Sequence, residues 1–201
     1  MQGTAFSDSL FLTATPDFGG VLNLLIALVL VGQKLLELGF LVRGGIAKGP
    51  VLHESGLVFG PGLVQAYELE SGVAVYPRIV AAPEVLRSVR SVEPVPNALL
   101  AFFRDDSDGF WFLDLYEMPS LRIGSYADAP FVAETVPKRL EAVAVRLEKL
   151  RNAMAAIVEA QAPTDVRRLA KLNWAVRAFN RSLGSKEALL IEEVPTPCLT
   201  S

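Results

Sequence analysis

Carboxylates in two tight turns are the first candidates for chemistry in this sequence. Asp8 stands between two serines, and three aspartates crowd residues 104–109. Hard divalent cations bind oxygen ligands, which makes such carboxylates possible metal ligands. Aspartate also favours turns in general, so Asp8 is open to both interpretations. Residues 104–109 lack the spaced glutamate of a calcium-binding loop, and they are predicted to form a solvated turn.

Basic side chains near strand ends form the second group of candidates. A guanidinium group matches the geometry of phosphate, so Arg43 and Arg78 could contact a triphosphate, and Lys48 is placed similarly. Arginines at strand ends also make surface or carboxylate contacts, which is the competing interpretation. His53 is the only histidine and Cys198 the only cysteine. A histidine-based metal cluster and a paired-cysteine site are therefore excluded, and phosphate-binding-loop and nucleophile-elbow motifs do not occur.

Composition predicts a globular protein rather than a disordered one. The chain has 201 residues, of which 51% are hydrophobic and 20% are charged, enough for one domain with an appendage. A net charge of −3 does not indicate a nucleic-acid partner. One cysteine cannot form an internal disulfide, so a reducing cytoplasm is the expected location.

Local signals near the N-terminus predict a hairpin followed by a helix. Residues 4–15 alternate as two short strands around the turn at Asp8. Asp17 is a plausible N-cap and Gly39 a C-cap for a helix over 18–38. Residues 18–33 carry no charge. That run is shorter than the about 20 residues a bilayer span needs, and it contains Asn23 and Gln33, so a buried helix is favoured over a membrane-associating one.

The middle of the chain predicts short strands mixed with helices. We expect a strand over 40–47 that resumes at 51–53, a helix over 63–71, a strand over 73–80 and a helix over 83–90. An Asp-Gly turn predicts a hairpin of 98–103 with 110–116. Gly44 and Gly45 are adjacent within a predicted strand, where glycine is costly. Either a ligand or another backbone approaches them closely, or they form a bulge.

The last third predicts two amphipathic helices. Apolar residues recur at steps of three and four, first at Leu140, Val143, Leu147, Leu150, Met154 and Ile157, and then at Val166, Leu169, Leu172, Val176, Phe179 and Leu183. This spacing is typical of helices with one buried face. The prediction is an α+β domain over 1–132, a helical hairpin over 133–185 and a tail over 186–201.

Four signals in a fixed order resemble the core of class III nucleotide cyclases. They are the Asp8 hairpin, an apolar helix, the run Arg-Gly-Gly-Ile at 43–46 and a helix ending Leu-Glu-Ser at 69–71. The details look closest to bacterial pyrimidine cyclases of the Pycsar anti-phage systems, in which the helix reads Phe-Gly-x-x-Leu-x-x-Ala-Tyr-x-Leu-Glu and a Tyr-Pro-Arg-Ile strand follows. Here those runs begin at Phe59 and Tyr76.

The resemblance implies a fold, a reaction and a metal. The fold would be a ferredoxin-like cyclase core with an antiparallel sheet, commonly a homodimer with active sites at the subunit interface. The reaction would convert UTP or CTP into the 3′,5′-cyclic nucleotide and pyrophosphate with Mn²⁺ or Mg²⁺. Asp8 would be the second metal-binding aspartate and thus a catalytic residue. Arg43, Lys48 and Arg78 would be substrate-binding candidates.

Two departures from the family pattern qualify this expectation. The family's first metal-binding aspartate lies on a strand before the hairpin, and no acidic residue precedes Asp8. The first strand and helix are expected to be missing, which would leave the chain inactive as it stands. Val64 and Glu68 occupy the places of the Asn and Arg of many purine cyclases, which argues against ATP or GTP as substrate. The alternative is a non-catalytic dimerisation or nucleotide-binding module.

Overall fold

The computed structural model describes residues 1–94, 97–116, 136–160, 165–183 and 189–195. The protein is a mixed α+β protein whose chain divides into two compact units. Unit 1 comprises Met1–Val31 and Arg43–Asp114, and unit 2 comprises Gly32–Val42 and Leu115–Ser201. The predicted boundaries at 132–133 and 185–186 lie outside the described residues and stay predictions.

Unit 1 begins with the expected hairpin. Strands β1 (Gln2–Phe6) and β2 (Ser9–Thr13) pair antiparallel, with Phe6 opposite Ser9. The two residues between them, Ser7 and Asp8, make a two-residue turn in which Ser7 has φ 54°. A turn of this length with left-handed backbone matches the natural twist of a hairpin. Asp8 is thereby held at the tip.

Helix α1 (Phe18–Glu37) begins and ends where its sequence predicts. The Gly20 backbone N–H donates to the Asp17 carboxylate at 2.8 Å, which satisfies an otherwise unpaired amide of the first turn. A hydrogen bond with the Thr15 side chain, together with the bond from Gly20, lowers the pKa of Asp17. At the other end Gly39 has φ 87°, and the Phe40 N–H donates back to the Leu35 carbonyl at 2.9 Å. This is a glycine-ended helix terminus.

α1 is long and apolar enough to cross a membrane by length and composition alone, and 28% of its most apolar 18-residue stretch is buried. Its Gln33 side chain is fully buried. The amide nitrogen donates to the Leu115 carbonyl at 2.8 Å, and Arg146 donates to the amide oxygen at 3.0 Å. These three residues belong to unit 2. A polar group satisfied by protein partners is consistent with the expectation that α1 is not a stable membrane span.

A four-stranded sheet forms the centre of unit 1. Its strands are β3 (Gly44–Ile46), β6 (Ile79–Ala81), β7 (Phe103–Asp105) and β8 (Trp111–Leu113), in the order β3-β6-β8-β7. β3 and β6 are parallel, whereas the other two pairings are antiparallel. The sheet is therefore mixed rather than antiparallel, because a helical crossover between β3 and β6 returns the chain in its starting direction.

The segment after β3 differs from the prediction. Instead of resuming the same strand, residues Leu52–Glu54 (β4) pair with Leu57–Phe59 (β5) in a hairpin of their own. The turn consists of Ser55 and Gly56, both with positive φ. A Ser-Gly pair marks a turn, and the interpretation of 51–53 as a continuation of the same strand was wrong because it did not take this turn into account.

Two helices flank the sheet of unit 1, and the predicted strand over 73–80 is largely absent. Helix α2 (Pro61–Glu68) continues as a wider helical turn through Leu69–Val73, in which the Ala74 N–H donates to the Leu69 carbonyl. That extension includes Val73, the first residue of the predicted strand. α3 (Pro83–Ser91) follows β6. Residues Ala98–Phe102, predicted as a strand, form a 3₁₀ helix before β7.

Unit 2 contains the two amphipathic helices. They are α4 (Val136–Ala160) and α5 (Val166–Leu183). The seam residues that carry described side chains are buried, with the exception of Val166: Val143, Leu147, Leu150, Met154, Ile157, Leu169, Leu172, Val176, Phe179 and Leu183. The periodicity of three and four therefore located the core-facing stripe of both helices.

Candidate functional site

An apolar cavity of about 250 Å³ lies within unit 1. Strand β2 borders it on one side and the end of β3 on another, and helices α1, α2 and α3 supply the remaining walls. The lining includes Leu12, Val21, Leu25, Ile46, Leu63 and Val85. Small-molecule pockets measure about 300–1,000 Å³, so this cavity is too small for a whole nucleoside triphosphate. It suits one planar ring or a few apolar side chains.

Strand edges without a partner strand border this cavity. β2 pairs only with β1, and β3 pairs only with β6, among the described strands. The Gly44 N–H donates to the Arg78 carbonyl, and the Ile46 carbonyl accepts from the Ala82 N–H. Backbone groups alternate in direction along a strand. Gly45 therefore directs its N–H and C=O to the edge of β3 that lies away from β6.

α2 packs directly against Gly45. A Cβ atom built on Gly45 would collide with the Ala66 carbonyl oxygen and would lie 2.8 Å from the Leu69 Cβ. A Cβ on Gly44 would meet only Ile79, at an ordinary 3.6 Å. Of the two explanations for the glycine pair, close approach by another backbone applies to Gly45.

A basic depression opens beside the apolar cavity. Its volume is about 630 Å³, within the range of ligand pockets. Lys48 and Arg87 contribute positive charge, and the Lys48 Nζ donates to the Ser88 hydroxyl at 2.9 Å. Glu84 also lines the depression, and it accepts a hydrogen bond from the Gln65 side chain. Two cations and a hydroxyl at an open surface can hold an anionic group such as phosphate.

Asp8 lies apart from this depression. It is exposed at the tip of the first hairpin and lines neither the apolar cavity nor the basic depression. Lys48 lines both the cavity and the depression and donates to Ser88, whereas Asp8 contributes to neither lining.

Arg43 and Arg78 are both engaged by carboxylates. The Arg43 Nε lies 2.5 Å from Glu70, and about half of the Arg43 side chain is exposed. Arg78 is 1% exposed, and its guanidinium group binds Asp106 at 2.6 Å and Asp108. A triphosphate would have to displace these partners, so the substrate-binding role of either arginine stays a prediction.

The turn over 104–109 is more than the solvated turn that its sequence suggests. Asp106 has only 7% of its side chain exposed because Arg78 binds it. The Arg78 hydrogen bond is the main cause that lowers the pKa of Asp108, and the Phe110 N–H contributes as well. The turn is thus an acidic cradle for one buried arginine. The two aspartates lie 28 and 30 residues after Arg78, so local sequence patterns did not predict this pairing.

His53 is a further residue whose role the sequence did not reveal. It is buried, with Nε2 2.8 Å from the Thr4 hydroxyl and Nδ1 2.7 Å from the Thr13 hydroxyl. Thr4 and Thr13 lie on the same face of the first hairpin, since their cross-strand partners are Phe11 and Gln2. His53 thereby joins the β4–β5 hairpin to the hairpin that carries Asp8.

In the described part of the chain, no group of three or more His, Cys, Asp or Glu side chains is arranged to hold a metal ion. Mg²⁺ and Mn²⁺ prefer about six oxygen ligands. Asp8 offers one carboxylate, so the residues present do not by themselves complete a metal centre.

Together, the fold and these features define a mixed α+β protein with a small apolar cavity, an adjoining basic depression and a carboxylate at a hairpin tip. No protein-family model, curated protein or solved structure matches the chain.

Proposed function

We propose that this chain is the distal part of a class III-type pyrimidine nucleotide cyclase, with a ferredoxin-like core followed by a helical hairpin. The complete domain would convert UTP or CTP into the cyclic nucleotide and pyrophosphate in anti-phage signalling. The residues present here would be inactive alone, because cyclisation needs a second metal-binding carboxylate.

The apolar cavity between β2 and β3 carries this proposal. It is bordered by β2 and β3, each of which pairs with a single other strand among the described residues, and its lining is mostly apolar. One additional strand, supplied by residues outside this sequence or by another chain, would pair with the free edge of β3, and its apolar side chains would fill the cavity. In the cyclase core the strand that carries the first metal-binding aspartate would run there.

The residues that would act are distributed over two ends of the site. Asp8 would provide one metal ligand, and the added strand would provide the second. Bound Mn²⁺ or Mg²⁺ would neutralise charge on the triphosphate during cyclisation. Lys48 and Arg87 offer the basic surface on which a phosphate could rest, since they line the open depression. Arg43 would reach a phosphate only after leaving Glu70, and Arg78 would act mainly by holding the 104–109 turn.

A homodimer is part of the same proposal. Val64 and Tyr67 lie three residues apart on α2, and their exposed fractions are 55% and 65%. Leu57 and Phe59 on β5 are exposed as well. Neighbouring apolar side chains in contact with water favour burial against a partner, and a second copy would offer the same surface.

A non-catalytic nucleotide-binding or dimerisation module is the second candidate. It is favoured by the absence of Asp8 from the lining of the basic depression, and by the burial of Arg78 against two aspartates. Such a module would bind a nucleotide or a second copy without forming a cyclic product.

A product assay separates the two candidates. The protein, and a version extended by the codons in frame upstream of Met1, are incubated with each nucleoside triphosphate and Mn²⁺, and the products are separated by chromatography. We expect a cyclic pyrimidine nucleotide from the extended protein only, and its loss on Asp8→Ala. Asp17→Asn is the matched control, because Asp17 is also an exposed carboxylate and asparagine keeps the helix cap.

Two results would contradict the cyclase proposal. One is an extended protein that cyclises ATP alone. The other is undiminished pyrimidine cyclisation after Asp8→Ala. A folded extended protein that binds nucleotide but yields no product with any base would favour the non-catalytic module.

A further inference from the structure

Helix α5 binds the C-terminal segment of the chain through two asparagines. The Asn180 amide donates to the Ile191 carbonyl at 2.8 Å and accepts from the Ile191 N–H at 3.0 Å. Asn173 makes the same pair of bonds to Val194, both at 2.9 Å. Each side-chain amide therefore takes both backbone groups of one residue, as a neighbouring β-strand would.

The spacing of the two asparagines fits an extended peptide. Seven residues separate them along α5, which is about 10.5 Å of helix. The three steps from Ile191 to Val194 cover about 9 Å in polyproline II conformation, whose three residues per turn direct both residues to the same side. Because Asn173 binds Val194 and Asn180 binds Ile191, the segment runs antiparallel to α5. The spacing of the two asparagines is close to the spacing of the two residues that they bind. Asn173, Arg177 and Asn180 share one helix face because their separations are four and three residues.

Side chains add selectivity to this backbone recognition. Ile191 is 9% exposed and thus serves as a buried apolar anchor. Two residues later, the Glu193 carboxylate lies 2.6 Å from the Arg177 guanidinium, where both side chains are about half exposed. Glu192 between them is exposed. The preferred pattern is a large apolar residue, any residue, an acidic residue and a further residue held by its backbone.

When the segment leaves this surface, the Asn173 and Asn180 amides lose their backbone hydrogen-bond partners. The Asn173 side chain is 6% exposed with the segment in place, and departure of the segment removes both of its hydrogen bonds to Val194. Water or a second extended chain must then take the place of Val194. An extended peptide restores all four hydrogen bonds at once, which favours replacement of the segment by a strand of similar pattern.

We propose that the α5 face formed by Asn173, Arg177 and Asn180 is a docking site for an extended peptide of a partner protein, and that residues 191–194 occupy it as an intramolecular competitor. The partner segment has the apolar-x-acidic spacing of Ile191 and Glu193. A tethered competitor acts at an effective concentration of the order of millimolar, so the partner binds fully only when the segment is released.

The test uses the full chain and a labelled peptide of sequence Leu-Leu-Ile-Glu-Glu-Val-Pro, which corresponds to residues 189–195. Ile191→Asp in the protein places a charge at the buried anchor and releases the segment. We expect the peptide to bind this variant at least about tenfold more tightly than it binds the unaltered protein, as measured by fluorescence anisotropy.

Variants of the asparagines assign the site. In the Ile191→Asp protein, Asn173→Ala or Asn180→Ala should each weaken peptide binding by about tenfold, since each removes two hydrogen bonds. Asn152→Ala on α4 is the control, because Asn152 is exposed, and it should leave binding unchanged. A peptide with aspartate in place of its isoleucine should fail to bind.

Hydrogen exchange in the unaltered protein covers the case in which the variant does not fold. The amides of Ile191 and Val194 should be protected, whereas that of Glu192 should exchange freely. Excess unlabelled peptide should displace the segment. Exchange at the Ile191 and Val194 amides should then become faster. Within the Ile191→Asp protein, equal peptide binding after Asn173→Ala, Asn180→Ala and Asn152→Ala would overturn the proposal. A folded Ile191→Asp protein that binds no peptide would overturn it as well.

Discussion

Replacement of Arg78 by leucine is expected to lower the free energy of unfolding by about 3–5 kcal/mol. Arg78 is almost completely buried and binds Asp106 at 2.6 Å and Asp108 as well. Its removal leaves the largely buried Asp106 carboxylate without this cationic partner. The loss of compensation, rather than the worth of the ion pair itself, produces the large effect. Denaturant unfolding followed by circular dichroism measures it.

Arg43→Leu is the matched control for Arg78→Leu. Arg43 also pairs with a carboxylate, Glu70, but about half of its side chain is exposed. Exposed pairs contribute about 0–1 kcal/mol, so this variant should unfold nearly as the unaltered protein does. If Arg78→Leu were equally stable and instead lost nucleotide binding, Arg78 would be a substrate ligand and not the support of the 104–109 turn.

The same contact gives the protein an acid sensitivity with a defined sign. The hydrogen bond from Arg78 lowers the pKa of Asp108 in the folded protein below the ordinary value of 3.8. A depressed folded-state pKa adds stability above the ordinary value, and this stability disappears as the pH falls through the folded-state pKa. Stability should therefore decline below about pH 4, and this part of the decline should be absent in Arg78→Leu.

Gly45→Ala is expected to be the second severe substitution, with a loss of about 1–3 kcal/mol or more. The added methyl group would collide with the Ala66 carbonyl oxygen and press on the Leu69 Cβ. Both obstacles belong to the backbone or its first side-chain atom, so they cannot rotate away. α2 would have to move off β3, which changes one wall of the apolar cavity. Thermal unfolding measures the loss.

Gly44→Ala provides the control at the neighbouring residue. Its methyl group would meet Ile79 at 3.6 Å, an ordinary contact. Neither glycine has a positive φ, so alanine is not strained at either position. We expect Gly44→Ala to be neutral or slightly stabilising, because alanine restricts the unfolded chain. Equal effects at the two positions would contradict close packing of α2 on Gly45.

Sequence predicted those elements whose signals are local. Asp17 and Gly39 marked both ends of α1, because a helix terminus is satisfied by its own nearest residues. The Asp8 turn and the Asp-Gly turn gave the hairpins β1–β2 and β7–β8 for the same reason. The predicted strand over 73–80 was largely wrong: Val73 ends the wider turn that extends α2, residues 74–78 are irregular, and only Ile79 and Val80 lie in β6.

Contacts between residues distant in the sequence could not be predicted from local sequence patterns. His53 gave no signal of its bonds to Thr4 and Thr13, which lie 49 and 40 residues away. The burial of Arg78 depends on a turn 28 residues later. Asn173 and Asn180 flank the apolar seam of α5 with a separation of seven residues. This spacing could predict a peptide-binding helix face, but only where an extended segment is also known to follow the helix.

The most direct test of the account is Mn²⁺-dependent binding of UTP or CTP to this chain, measured by calorimetry in the unaltered protein and in Asp8→Asn. We expect weak binding near about 1 mM that requires Mn²⁺, and a loss of at least about tenfold in Asp8→Asn. Asp17→Asn, which removes the same charge but keeps the helix cap, should bind as the unaltered protein does. Equal affinities of the Asp8 and Asp17 variants, or binding that does not depend on Mn²⁺, would contradict the proposal that Asp8 is a metal ligand.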